Sequence, residues 1–213
     1  SPNSADAHGW YSHFLVRERR YDEAAEEAGK SIDIDPLHPG KRYGAALDAI
    51  GANRYDVVVQ ESQRAVGLEP TLTVPYFLLG LANLLEGRPD ECLSVLGDLS
   101  PGVRAMCHHS RGDESQAMQL VDSLKGTLSS TDTPVNNAEM ILYRDIAMFY
   151  AWIGELDQAL DWLERAVSWS HNAVEFRILG SGIFERALQD QSFRSGLERI
   201  QALARQRLLQ ASG

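Results

Sequence analysis

Two stretches of the sequence repeat each other: RRYDEAAEEAGKSIDIDP at residues 19–36 and NRYDVVVQESQRAVGLEP at residues 53–70. In both, a Tyr-Asp pair opens a run with apolar or small residues at helical spacing, and a proline closes it. Tyr21 and Tyr55 are 34 positions apart, and the two prolines have the same offset. The stretches therefore predict amphipathic helices that end before a proline and recur with a fixed period.

A period of 34 residues is typical of the tetratricopeptide repeat, a helix–turn–helix unit that stacks on its neighbours to bury a shared core. We therefore expect an all-α fold, an α-α superhelix of about five repeats with a C-terminal helical cap, in a single domain over residues 1–213. The expected repeats and cap cover residues 5–38, 39–72, 73–99, 100–126, 138–171 and, for the cap, 172–213.

Several residues mark expected helix ends. Pro36 lies just beyond its helix, whereas Pro89 lies in a first turn, where a missing N–H costs nothing. Gly112 is expected to adopt the left-handed conformation, and Asp113 with Gln116 predicts a capping box at the following helix. The polar segment 125–137 is expected to be a loop.

Three segments carry a more specific resemblance: AHGWYSHFLVRERRYDEAAEEAGKSIDIDP (7–36), ILYRDIAMFYAWIGELDQALDWLERA (141–166) and IFERALQDQSFRSGLERI (183–200). They resemble the C-terminal tetratricopeptide regions of bacterial multidomain regulators. Those proteins place the repeats after a winged-helix DNA-binding domain, a serine/threonine kinase or a nucleotide cyclase. The sequence departs from that pattern at Gly180 and Gly182, where an aspartate–proline pair is more typical. The resemblance implies a sensing or docking module in signal transduction or transcription regulation.

Stacked helix pairs line a concave surface with the first helix of each pair, and peptides dock there. Aromatic and arginine side chains often carry binding energy. The register of the repeats predicts such a peptide-binding surface from these residues: Trp10, His13, Arg17, Tyr43, Leu47, Ile50, Phe77, Leu81, Leu84, Arg144, Met148 and Trp152. The alternative is that most of these side chains pack between helices. The lysines and asparagines with which some tetratricopeptide domains grip a chaperone's C-terminal carboxylate are not found at the matching positions.

Composition and motifs weigh against other functions. A net charge of −10 and a pI near 5.0 argue against nucleic-acid binding. No apolar run is long enough to span a bilayer, so no membrane insertion is expected. The segment MCHHS (106–110) holds metal-ligand types, but adjacent residues on a helix point in different directions. We therefore expect no metal, no cofactor and no enzymatic activity.

Two alternatives remain open at this point. Exposed faces of the terminal repeats could pair in a homodimer instead of binding another protein or a peptide. The two cysteines, Cys92 and Cys107, are expected to be free thiols, which favours a cytoplasmic location. Some regulators of the resembled group have a membrane anchor before the repeats, so an extracytoplasmic location is the alternative.

Overall fold

The computed structural model describes residues 4–129, 132–134, 136–169 and 182–211, and these contain helices, turns and no strand. The helices are α1 (Ala5–Arg17), α2 (Tyr21–Ile34), α3 (Pro39–Gly51), α4 (Tyr55–Leu68), α5 (Thr73–Leu85), α6 (Pro89–Leu96), α7 (Pro101–Ser110), α8 (Glu114–Gly126), α9 (Asn137–Ile153), α10 (Leu156–Trp169), α11 (Gly182–Glu185) and α12 (Gln191–Ala211), with a 3₁₀ turn at Ala187–Gln189. The expected all-α helical repeat is confirmed.

The chain divides into two compact units. Among the described residues, unit 1 holds 4–99 and unit 2 holds the remainder. A single domain over 1–213 and the individual repeat limits stay predictions. Residues 170–181, which include the start of the expected cap and Gly180, lie outside the described residues.

Unit 1 is a stack of three helix pairs. α1 packs on α2, α3 on α4 and α5 on α6, while α1, α3 and α5 contact one another in sequence. Leu15, Ile50 and Leu78 are fully buried between these helices. At Gly80 an added Cβ would lie only 2.6 Å from Cγ of Leu96, so the α5–α6 contact requires a residue without a side chain.

Unit 2 contains two further pairs and the C-terminal helices. α7 packs on α8 and α9 on α10, while α7 contacts α9, and α11 and α12 cover α9 and α10. The rings of Phe184 and Phe193 stack with centroids 6.2 Å apart, and both are buried. At Gly102 a Cβ would lie 2.5 Å from Cβ of Asp145, so α7 and α9 also approach closely at a glycine.

The turns inside the three pairs of unit 1 share one conformation. Arg19, Asn53 and Gly87 follow each other at the 34-residue period, and their φ angles are +58°, +56° and +74°. This is the left-handed region, which strains most side chains and suits glycine. The repeat therefore imposes a left-handed turn even where the sequence supplies arginine.

Two expectations about local chemistry are wrong. Asp113 precedes α8 without any hydrogen bond from its side chain to the helix, so the expected capping box is not formed, although Gly112 is left-handed as expected. Neither Cys92 nor Cys107, both buried, is a free thiol in the described structure. The argument from free thiols for a reducing compartment is therefore lost.

None of the helices in the described part of the chain combines the length and the apolarity needed to cross a membrane.

Polar contacts fix α1 against α2. His8 Nδ1 lies 2.5 Å from Oε2 of Glu27, and the Ser31 hydroxyl donates to the carbonyl of Ala5 at 2.7 Å. The neighbouring Lys30 ammonium and the His8 ring hold the pKa of Glu27 below the usual glutamate range. Glu27 therefore links the two helices of the first pair through its ionised form.

The left-handed turn gives a stability prediction. Arg19→Gly should raise the free energy of unfolding by about 0.5–1 kcal/mol, because glycine relieves the strain but loses more entropy on folding. Gly87→Ala should lower it by about 1 kcal/mol for the opposite reason. Asn53→Gly is the matched control and should change stability less than Arg19→Gly, since asparagine tolerates this conformation. Urea unfolding followed by circular dichroism measures all three, and an Arg19→Gly variant less stable than wild type would contradict the argument.

Glu27 gives a pH prediction. A carboxylate whose folded pKa is depressed stabilises the protein above its unfolded pKa, and this contribution is lost as pH falls through the folded pKa. Glu27→Gln should therefore lower the Tm at pH 7, and the difference from wild type should shrink below about pH 4. Thermal melts from pH 7 to pH 3 measure this difference, with the exposed Glu26→Gln as control. A wild-type advantage that is the same at every pH would refute the role of the ionised form.

Candidate functional site

A buried carboxylate lies where α1 meets α3. Asp48 interrupts the otherwise apolar run AALDAI (45–50), and only 5% of its surface is exposed. The Ser12 hydroxyl donates to its Oδ2 at 2.5 Å, and His13 Nδ1 lies 2.8 Å from both carboxylate oxygens. Two adjacent residues of α1 thus hold one acid of α3.

This contact orients the His13 ring. Nδ1 is held at the Asp48 carboxylate, so the opposite edge of the imidazole, with Nε2, faces away from Asp48. Nε2 lies on the side of Gly44, where an added Cβ would be 3.9 Å away. The Trp10 ring meets the imidazole edge-on, with centroids 5.9 Å apart.

A cavity of about 230 Å³ opens beside this contact, between α1, α2 and α3. Its lining residues are Asp6, Gly9, Trp10, Ser12, His13, Ala28, Ser31, His38, Gly40, Lys41, Tyr43, Gly44, Ala45 and Asp48. The glycines leave room in the walls, and Trp10 is 74% exposed. Lys41 forms an ion pair with the exposed carboxylate of Asp6. The cavity therefore combines a polar floor with an exposed aromatic side chain.

The residues expected on a binding surface fall into two groups in unit 1. Trp10, His13 and Tyr43 come together around this cavity. The expected apolar members are buried instead, and their side chains pack between helices: Leu47, Ile50, Leu81 and Leu84. Arg17 is exposed near the end of α1, and Phe77 is half-buried on α5.

The expected site residues of unit 2 lie on α9. Met148 is fully buried. The Arg144 guanidinium donates to Oδ1 of the neighbouring Asp145 at 2.8 Å, and 15% of its side chain is exposed. Trp152 Nε1 donates to the Ser110 hydroxyl at 3.1 Å. Arg144 and Trp152 therefore each have a hydrogen-bond partner within unit 2.

Sequence reasoning missed Asp48, Ser12 and Lys41. The signal for Asp48 was present, because a single carboxylate inside a helical apolar run must be paired when the run is buried. No comparable signal marks Ser12, since a serine on a helix is ordinarily a solvated residue or a small packing residue.

The metal-ligand types in MCHHS are not arranged as a site. Cys107 is buried, His108 Nδ1 lies 3.5 Å from the Asp113 carboxylate, and the His109 ring packs edge-on against Phe149. Within the described residues no group of three or more histidine, cysteine, aspartate or glutamate side chains could hold a metal ion.

Comparison with known proteins returns structures only. The sequence matches no profile of a known protein family and no curated protein. Among solved structures, the chain is similar to YrrB, a TPR protein with an unusual peptide-binding site, at 14% identity and a TM-score of 0.48, over 78% of this chain and 86% of YrrB. Two structures of MamA are similar at 15% and 16% identity, with TM-scores of 0.43 and 0.41, over 72% and 91% of this chain and 91% and 90% of MamA.

Proposed function

We propose that the chain is a non-enzymatic scaffold that binds a protein or peptide, and that the cavity between α1 and α3 receives a side chain of the bound segment. One observation carries the proposal: Trp10 is 74% exposed at a cavity that is already open. An exposed tryptophan beside a preformed pocket is a common binding anchor, since tryptophan is among the residues that dominate interface energies.

The floor of the cavity supports binding more than catalysis. Ser12 and His13 both bond to Asp48, so the histidine is not positioned to take a proton from the serine hydroxyl. The same contacts hold the His13 ring in one orientation before any ligand arrives. Pre-organised polar groups lower the entropy that binding would otherwise cost.

The wider context is proposed from the sequence alone. The resemblance to C-terminal regions of bacterial regulators supports a docking module in a signalling or transcription-regulatory protein. The charge of −10 supports a partner other than nucleic acid. A cytoplasmic location stays a prediction, and its argument from free thiols is lost.

Trp10→Ala tests the scaffold proposal. A random dodecapeptide library displayed on phage is selected on the wild-type chain, and the enriched peptides are measured by calorimetry. Trp10→Ala should weaken binding by about tenfold or more, since loss of an interface tryptophan often exceeds 1.4 kcal/mol. Phe14→Ala is the matched control, because Phe14 is an exposed aromatic residue of the same helix that does not line the cavity.

The outcomes separate clearly. Peptides that bind both variants as tightly as wild type would place docking away from this cavity. A library from which nothing binding is enriched would contradict the scaffold function itself. Circular dichroism spectra of both variants identify any loss of folding.

Self-association is the second candidate, and one observation favours it. Tyr11 and Phe14 stack with centroids 6.2 Å apart and are 45% and 48% exposed on α1. If this pair forms a homodimer contact, light scattering should report a mass of two chains that falls towards one on dilution. Phe14→Glu should shift the equilibrium to the monomer at all concentrations, with Leu37→Glu, at another exposed apolar residue, as control. A wild-type monomer at high concentration would end this candidate.

A further inference from the structure

One face of α1 carries an exposed apolar stripe. Ala7, Trp10, Tyr11 and Phe14 follow the spacing i, i+3, i+4 and i+7, which places them along one side of a helix. All four are exposed, and the rings of Tyr11 and Phe14 stack on each other. Single exposed apolar residues are ordinary on proteins, but several in line indicate an interaction surface. We call these four residues the α1 stripe.

The equivalent stripe of α3 faces the preceding helix pair. One period of 34 residues after the α1 stripe lie Lys41, Gly44, Ala45 and Asp48. Lys41 forms an ion pair with Asp6 of α1, and Asp48 accepts a hydrogen bond from Ser12 of α1. The stripe of α3 is therefore the face with which the second helix pair stacks on the first.

The equivalent stripe of α5 is buried completely. Two periods after the α1 stripe lie Pro75, Leu78, Leu79 and Ala82, and all four are buried. α5 contacts α3 and α4, which are the helices of the preceding pair. In the second and third pairs of unit 1 the stripe thus lies against the pair before it, whereas on α1 it stays exposed.

Ion pairs between the helix pairs specify a charge on the covering side. Arg54 of the second pair bonds to Asp22 of the first, so the acid belongs to the preceding pair and the base to the following one, as also at Lys41. Arg20, one period before Arg54, bonds to Glu23 and keeps 46% of its side chain exposed. A helix pair that covers the α1 stripe in the same way therefore brings an acid close to Arg20.

From these equivalences we infer that the α1 stripe is a docking surface for an antiparallel helix pair of a partner protein. The pair lies on α1 and α2 as these two helices lie on α3, buries the stacked rings of Tyr11 and Phe14, and presents an acid to Arg20. A second copy of the chain is the poorer occupant. Its own stripe would bring the same aromatic side chains together, whereas the contacts inside unit 1 join the stripe to a different face of the neighbouring pair. The surface is separate from the peptide cavity, which Tyr11 and Phe14 do not line.

Docking is tested with a phage library of a three-helix-bundle scaffold in which the surface of two antiparallel helices is varied. The library is selected on the wild-type chain, and the enriched binders are measured by calorimetry. Phe14→Ala should weaken their binding by about tenfold or more, since a buried aromatic ring dominates such contacts. Leu37→Ala is the matched control and should leave binding unchanged, because Leu37 is an exposed apolar residue outside the stripe.

A charge variant tests the expected acid. Arg20→Gln should weaken the same binders by about two- to fivefold, a typical size for a partly screened ion pair. Arg64→Gln is the matched control, because it makes the same change in net charge at a similarly exposed arginine of α4. Equal binding to both variants would contradict the acid opposite Arg20.

A longer chain tests the geometry of stacking without a library. Residues 38–71, the pair that covers the stripe of α5, replace residues 1–3, so that the copy precedes Ser4 in the register of the repeat. Phe14→Glu should lower the Tm of this chain by about 5 °C or more, because the new charge is buried, but that of the unextended chain by no more than about 2 °C. Leu37→Glu should shift both Tm values equally.

Each result decides the inference. Binders that tolerate Phe14→Ala, or a library from which nothing is enriched, overturn it, and so do equal effects of Phe14→Glu in the two chains. A wild-type dimer in sedimentation that Phe14→Glu dissociates assigns the stripe to a second copy and likewise overturns the inference. If the longer chain does not fold, the library result decides. Peptide docking at the cavity is judged by Trp10→Ala and stands or falls separately.

Discussion

The packing of α1 on α3 in unit 1 depends on the burial of one carboxylate, that of Asp48. A carboxylate with 5% exposure costs several kcal/mol unless donors replace its water. The donors come from Ser12 and His13 on the neighbouring pair, so the register of α1 on α3 is specified by polar contacts as well as by apolar packing. The same contacts orient the His13 imidazole at the cavity. They therefore determine both how the first two helix pairs pack and which polar groups line the cavity.

Much of the fold could be predicted from the sequence because several features of the repeat indicate the same helices. The Tyr-Asp starts and the closing prolines predicted where helices begin and end, and the 34-residue period predicted that the helices form pairs. From the sequence, left-handed turns could be predicted only at glycines. Nothing about Arg19 indicates the strained conformation that it adopts in the repeat. The predicted capping box at Asp113 is not formed. Its carboxylate lies 3.5 Å from His108 Nδ1 and 3.6 Å from Arg111 Nε and makes no hydrogen bond to the start of α8.

The site was predictable only in part, for a geometric reason. The register of the first helices predicted residues for a binding surface, but it could not separate the residues that border the cavity from those that are buried beside it. α3 contacts α1, α2, α4 and α5, so its apolar residue Leu47 is buried in the core. Leu81 on α5, in the next helix pair, is buried as well. Trp10 and Tyr43 differ because they border a cavity. The buried polar group, Asp48, was not among the predicted residues, because it stands alone within an apolar run.

Three helical glycines, Gly80, Gly102 and Gly44, differ in whether packing against neighbouring side chains requires the absence of a side chain. At Gly80 and Gly102 a Cβ would meet neighbouring side chains at 2.6 and 2.5 Å, so packing alone excludes larger residues. At Gly44 the nearest atom to such a Cβ is 3.6 Å away, an ordinary contact distance, and the residue is in a helix interior where glycine costs about 1 kcal/mol relative to alanine. Packing therefore gives no reason for glycine at residue 44. Its effect is to keep open the cavity wall beside His13, and this open wall is consistent with the proposed entry of a ligand side chain there.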